Sequence, residues 1–272
     1  MPEWPEMERY RTLLTERIVG ETVLGTEITR DKSINVPADV FEDELKGRTI
    51  WFVERRGKHI LFHLDNGKRL LLHLMLGGLM TFGTDEEKPS RTVQVTIKFS
   101  KGNLYFIGLR LGYLHLLTVK EVDAKLSGLG PDPLDKRLNY ERFRSRFRGK
   151  RGALKSALVD QSVIAGIGNC YADEIAFTAG IRPQTKIPEL PEHAWERLYA
   201  ATVQVLSDAL AIGGYMEIPF TPVDDLTGGY NERCLVYDRR GEPCRTCGNP
   251  IEQIEIASRK AFYCPHCQKE RE

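Results

Sequence analysis

The chain has 272 residues, of which 41% are hydrophobic and 28% charged, which suits a globular protein with room for two domains and a sizeable core. Its formal net charge is only +1, so bulk charge marks it neither as a nucleic-acid binder nor as a disordered polyelectrolyte. No apolar run reaches the roughly 18 residues of a membrane span, and the acidic start Met1-Pro2-Glu3-Trp4-Pro5-Glu6 is unlike a secretion signal. A cytosolic monomer is expected, with its six cysteines as thiols or metal ligands.

Met7, Tyr10, Leu14 and Ile18 recur at helical spacing and Gly20 follows as a stop, so a helix begins almost at residue 3. The chain terminus is thereby set against folded protein. Residues from about 22 to 118 read as β: positions 92–99 alternate apolar and polar, while 60–64 and 70–75 are continuously apolar. Asn66-Gly67 and Lys101-Gly102-Asn103 are hairpin-turn sequences. Short strands at this spacing predict a sandwich or barrel. Gly130-Pro131-Asp132-Pro133 reads as a linker, helical periodicity runs on to about 212, and the glycine- and proline-rich stretch 213–232 reads as a long loop.

The tail carries Cys244-x2-Cys247 and, 16 residues later, Cys264-x2-Cys267. Two such pairs suit one tetrahedral, closed, four-thiolate zinc site, with a β-hairpin between the knuckles. With no coordination position open, the metal holds structure and does no chemistry. Cys170 and Cys234 stand apart and read as buried thiols. Arg259-Lys260 falls near the hairpin turn, either reaching a DNA groove or simply facing water. From Arg137 to Lys155 there are eight basic residues and one acid, Glu141, a run that serves phosphates or forms a solvated helix face.

Pro2-Glu3-x-Pro5-Glu6, Gly57-Lys58, Ala165-Gly166-Ile167-Gly168-Asn169 with Tyr171-Ala172-Asp173-Glu174, and the four cysteines occur in the order and at the spacing of the formamidopyrimidine-DNA glycosylase and endonuclease VIII family, which the chain resembles along its whole length. The resemblance implies an α+β multidomain fold. Residues 1–130 would form an N-terminal helix plus β-sandwich, 131–232 a helix-two-turn-helix domain, and 233–272 the zinc-finger β-hairpin. It implies a bacterial base-excision-repair glycosylase with abasic-site lyase activity, acting on duplex DNA that contains damaged bases or abasic sites.

By the same resemblance Pro2 is the nucleophile once Met1 is removed, Glu3 the acid/base and Glu6 a carboxylate at the site. A retained Met1 would block the amine. Lys58, Asn169 and Arg259 would hold phosphates, with Lys58 and Arg259 also counted in the catalytic set. Arg110, His73 and Lys155 are further expected DNA contacts, and Glu174 matches a position near the lesion. Taken alone, Pro-Glu is only a good helix start, Gly57-Lys58 a surface turn, and His73 equally a core histidine.

The sequence departs from the formamidopyrimidine branch where side chains fill the space left by a flipped base. His73-Leu74-Met75-Leu76 sets Leu76 in place of a methionine, and Ile107-Gly108-Leu109-Arg110-Leu111-Gly112 sets Leu109 and Leu111 in place of an arginine and a phenylalanine. Leucines can wedge between bases but cannot hydrogen-bond an orphaned cytosine. The loop Tyr215–Gly228 lacks the Thr-Thr-Leu pattern of members that process 8-oxoguanine. The preferred lesion is thus left open, and a weakly active paralogue that binds damaged or abasic DNA is the alternative.

Overall fold

The computed structural model describes residues 1–269 and shows two compact units: Met1–Ser127 with Ile212–Gly228, and Gly128–Ala211 with the chain from Gly229 onward.

The first unit opens with α1 (Trp4–Ile18), led in by Glu3 and Pro5, and Gly20 ends it at φ 85°. A strand β1 (Gly25–Ile28) and a short helix α2 (Ala38–Leu45) follow. The next strands are β2 (Ile50–Arg56), β3 (His59–Leu64), β4 (Arg69–His73), β5 (Leu79–Gly83), β6 (Val93–Phe99), β7 (Gly102–Ile107) and β8 (Tyr113–Leu117), before α3 (Val119–Leu126). They form two antiparallel four-stranded sheets, ordered β1-β6-β7-β5 and β2-β3-β4-β8. Ile60, Phe62, Leu70 and Leu72 of one sheet share a buried core with Val95, Ile97, Leu104 and Phe106 of the other. Met7, Tyr10, Leu14 and Ile18 of α1 close that core, as their helical spacing requires. The sandwich expected from sequence is present.

Strict alternation in β6 suggests one wet face, yet Gln94 and Thr96 are buried. Gln94 is held there by work for its amide: its Oε1 accepts the Leu109 N–H at 3.1 Å and its Nε2 donates to the Thr92 carbonyl at 3.1 Å.

Residues 212–228, grouped by sequence with the helical segment, pack into the first unit. Phe220 is the reason. It is fully buried, 5.7 Å edge-on from Tyr10 and 6.4 Å from Phe82, and its carbonyl accepts the Phe82 N–H at 2.7 Å. Asp224 ties the loop further, accepting from Phe220 N, Thr227 Oγ1 and Arg9.

The second unit holds α4 (Tyr140–Ser145), α5 (Leu154–Leu158), α6 (Asn169–Thr178), α7 (Glu192–Ala211) and a hairpin of β9 (Glu252–Ile256) and β10 (Arg259–Tyr263). Phe143 and Phe147 of the α4 region pack on Tyr199 and Trp195 of α7 at 5.3 and 5.2 Å. Much of the basic run is spent locally: Arg137, Arg144 and Lys150 pair with Asp135, Glu192 and Asp160. The Gly130 stretch expected as a linker is packed, since a Cβ on Gly130 would lie 2.5 Å from the Val163 carbonyl oxygen.

Candidate active site and zinc centre

The start of α1 is buried. Pro2, Glu3 and Glu6 are all enclosed, and the Pro2 nitrogen is joined to Met1 in this unprocessed chain. The Glu3 N–H donates to Glu6 Oε2 at 2.8 Å, which satisfies one of the donors that a helix start leaves open. The other Glu6 oxygen turns outward to the loop and accepts the Tyr215 N–H at 3.1 Å. That approach requires glycine at 214: its φ is +69°, and a Cβ there would lie 2.2 Å from Glu6 Oε1. The Tyr215 hydroxyl donates to the Met1 carbonyl at 2.6 Å. One carboxylate therefore ties the chain terminus to the loop.

Lys58 is not the surface turn lysine that its sequence setting allows. It is 6% exposed in the β2–β3 turn, where Gly57 takes φ 56°. His73 is partly buried on a cross-strand row with His59 and Tyr113, with ring separations of 4.3 and 5.8 Å. Burial, aided by the Lys58 charge, pushes its pKa down to about 4; burial and the neighbouring His73 push His59 down to about 3. Arg110 is exposed.

The three leucines separate. Leu76 and Leu111 are 68% and 63% exposed, so both side chains are open to solvent. Leu109 is fully buried in the sandwich core, with its N–H on Gln94 and its carbonyl accepting from Ser33. As a wedge residue it must be corrected: its side chain is part of the core and not of the surface.

In the second unit Asn169 is exposed at the first position of α6, and Arg259 and Lys260 are exposed just after the hairpin turn Ala257-Ser258, whose residues take φ 48° and 61°. Lys155 is not an exposed phosphate contact. It is 1% exposed; its ammonium donates to both Asp173 oxygens at 2.8 and 2.7 Å and to the Lys260 carbonyl at 2.5 Å. Asp173 also accepts the Phe262 N–H at 3.0 Å, so this pair fastens the hairpin to α6. Burial pushes the Asp173 carboxyl up, against the pull of Lys155 and the Phe262 N–H. Glu174 is equally buried and accepts the N–H groups of Leu235, Val236 and Tyr237 at 2.8–2.9 Å; burial lifts its pKa, and these donors oppose the rise. It anchors the segment that leads into the finger.

The sulfurs of Cys244, Cys247, Cys264 and Cys267 all lie within 4.8 Å of one another. Pairs stand 3.8 and 3.4 Å apart, close to the spacing of about 3.8 Å that four Zn–S bonds of about 2.3 Å impose. Backbone N–H groups of Thr246 and Cys267 point at sulfurs, as thiolates require. The donor set fits one zinc ion.

Three family models match in chain order: the formamidopyrimidine-DNA glycosylase N-terminal domain over residues 1–113, the H2TH domain of the same enzymes over 129–218, and the zinc finger found in FPG and IleRS over 241–269. A formamidopyrimidine-DNA glycosylase of Gloeobacter violaceus is 36% identical, covering 99% of this chain and 98% of the relative. The chain belongs to the formamidopyrimidine-DNA glycosylase family. Among solved structures, Lactococcus lactis Fpg bound to DNA with an abasic site superposes at a TM-score of 0.89, with 30% identity over 98% of this chain and 100% of that one. Wild-type Fpg of the same organism bound to DNA containing N7-benzyl-Fapy-dG gives a TM-score of 0.90 at 30% identity over 99% and 100%. Membership in the formamidopyrimidine-DNA glycosylase family makes the chain a base-excision-repair glycosylase with a four-cysteine zinc finger; abasic-site lyase activity is typical of the family. Among the described residues, no helix is long and apolar enough to cross a membrane.

Sequence reasoning missed Asp173, Tyr215 and Asp224. Asp173 lay inside a quoted motif but gave no hint of its partner, because the partner lies 18 residues away. Tyr215 and Asp224 sit in a loop without periodicity, where only folding shows what each touches.

Proposed function

We propose that Pro2, freed by removal of Met1, attacks C1′ of a damaged nucleotide in duplex DNA. An α-amino group titrates near 7.7–8.0, far below a lysine, so a useful fraction is an uncharged nucleophile near neutral pH. Attack displaces the base with its bonding electrons, and the amine loses its proton. The C1′–O4′ bond then opens with O4′ taking the bond pair and a proton, and the C1′=N iminium forms, after which loss of a C2′ proton starts β- and then δ-elimination. Glu3 is assigned proton transfer. Lys58, Asn169 and Arg259 hold backbone phosphates, assisted by His73 and Arg110, and Leu76 and Leu111 occupy the space of the flipped base. The three segments divide as 1–130, 131–232 and 233–272, with the loop 212–228 serving the first. The protein works as a cytoplasmic monomer.

The observation that carries this reading is the enclosed Pro2-Glu3 start, whose backbone is fixed by Glu6. A helix start with no further purpose has no need of buried carboxylates. The abasic and Fapy-dG complexes of the Lactococcus relative support the substrate class. Single-turnover excision tests the reading: Pro2→Gly and Glu3→Gln are expected to lose excision by at least a hundredfold while keeping DNA binding. Normal excision by both would overturn it.

The core position of Leu109 favours a second reading, in which the chain binds lesions without efficient turnover. A processed wild-type protein that binds abasic duplex tightly yet releases no base would establish it.

A further inference from the structure

We infer that Tyr215 positions the N-terminal amine and keeps it in its unprotonated, attacking form; the inference rests on Pro2 as nucleophile.

The Tyr215 hydroxyl is 2.6 Å from the carbonyl oxygen of Met1. That oxygen and the Pro2 nitrogen share one carbon, at bonds of about 1.23 and 1.33 Å, so the hydroxyl lies within about 5 Å of the nitrogen. Removing Met1 takes away this acceptor and leaves in its place the amine, which the phenol reaches directly or through one water. The backbone of Tyr215 is held independently. Its N–H is on Glu6, and Gly214 permits that approach only because it lacks a Cβ. The ring therefore starts from a backbone held by Glu6, and the hydroxyl needs only a side-chain adjustment to follow the amine once Met1 is gone.

The amine needs such a donor. Two buried carboxylates, Glu3 and Glu6, lie beside it, and both favour the charged ammonium, which cannot attack. The α1 helix start opposes them. Among the charged groups on the first turns of α1, Glu8 pairs with Arg11 and with Arg55 of β2, and Arg9 with Asp224 of the loop. Arg55 also lies 4.5 Å over Trp4, and Lys58 follows in the β2–β3 turn. A neutral phenol O–H directed at the nitrogen lone pair stabilises the free base without adding charge. It also fixes the direction of that lone pair until the substrate displaces the hydrogen bond.

The test is the pH dependence of single-turnover borohydride trapping on an abasic duplex, using protein whose Met1 is shown to be absent. Tyr215→Phe removes one hydroxyl and keeps the ring. One neutral hydrogen bond corresponds to a displacement of the acid limb by about 0.5–1 pH unit toward higher pH. Trapping should fall several-fold below the limb and converge with wild type above it, with DNA affinity unchanged. A Tyr215→Phe profile that overlays wild type would overturn the inference, as would an equal loss at every pH. Pro2→Gly, run in parallel, keeps the two claims apart. Trapping by Pro2→Gly as by wild type removes the nucleophile assignment itself; its loss together with an unmoved Tyr215→Phe profile removes only the role of Tyr215.

Discussion

Lys155 and Asp173 meet as a bidentate ion pair, 2.8 and 2.7 Å from the ammonium to the two carboxylate oxygens, with neither side chain more than 1% exposed. The pair joins α5 to α6, and through the Lys260 carbonyl and the Phe262 N–H it also fixes β10. Asn169 and Arg259, the side chains proposed to hold phosphates, both extend from elements that this pair fastens together.

Removing one partner of such a pair leaves a charge stranded in the interior. Asp173→Ala is expected to destabilise the zinc-loaded protein by about 3–5 kcal/mol, since Lys155 loses its counterion and the Phe262 N–H its acceptor. Denaturant unfolding followed by tryptophan fluorescence reads this directly. A loss below about 1 kcal/mol would mean that the hairpin holds its place without Asp173.

Gly214→Ala is expected to cost more than conformation alone explains. A left-handed residue costs roughly 1–2 kcal/mol, and here the new Cβ also meets Glu6 Oε1 at 2.2 Å. Gly20→Ala shares the positive φ but meets nothing within 4 Å, so it isolates the conformational part. Comparing the two by thermal unfolding and by excision rate should show Gly214→Ala losing activity well beyond its stability loss, because it displaces a carboxylate that holds Glu3. Equal effects of the two variants would speak against that coupling.

Much of this architecture was legible in the chain. The four cysteines predicted a closed metal site, and the sulfurs stand where one ion needs them. The spacing of Met7, Tyr10, Leu14 and Ile18 predicted a helix lying on a sandwich core, and all four are buried there. What periodicity could not show is which polar residues turn inward. Lys155 looked like one more cation in a basic run, and only its distance from Asp173 reveals that its charge is spent inside. Leu109 looked like a wedge because it stands where the family motif has an arginine that reads the opposite base; as a leucine it is fully buried in the sandwich core.

Zinc removal should act on binding before it acts on the sandwich. A finger of this size lacks a core of its own beyond Phe177, Val236, Ile251 and Phe262, so chelation is expected to release the β9–β10 hairpin. Arg259 and Lys260 then lose their fixed placement. The slope of log affinity against log salt should fall by about 1 to 2 phosphate contacts. An unchanged slope in metal-free protein would place the hairpin away from the DNA.

Stability should fall in mild acid. His59 and His73 titrate at about 3 and about 4 in the fold because burial disfavours their charged forms, against an ordinary value near 6.5. Between those values the unfolded chain binds more protons than the folded one, so stability is full above about pH 6.5 and declines as pH drops toward 4. Each histidine contributes a slope of up to about 1.4 kcal/mol per pH unit in that window. His59→Phe should flatten the decline measured by urea unfolding at stepped pH, and an unaltered slope would place the acid sensitivity elsewhere.

The proposed chemistry rests on the amine of the N-terminal proline. Borohydride trapping tests it most directly: protein with Met1 removed is mixed with a duplex holding an abasic site and reduced, and covalent protein–DNA product is measured for wild type and Pro2→Gly. A strong adduct is expected with wild type, located at Pro2 by peptide mapping, and none with Pro2→Gly. An adduct mapped to a lysine, or no adduct from correctly processed wild-type protein, would contradict it.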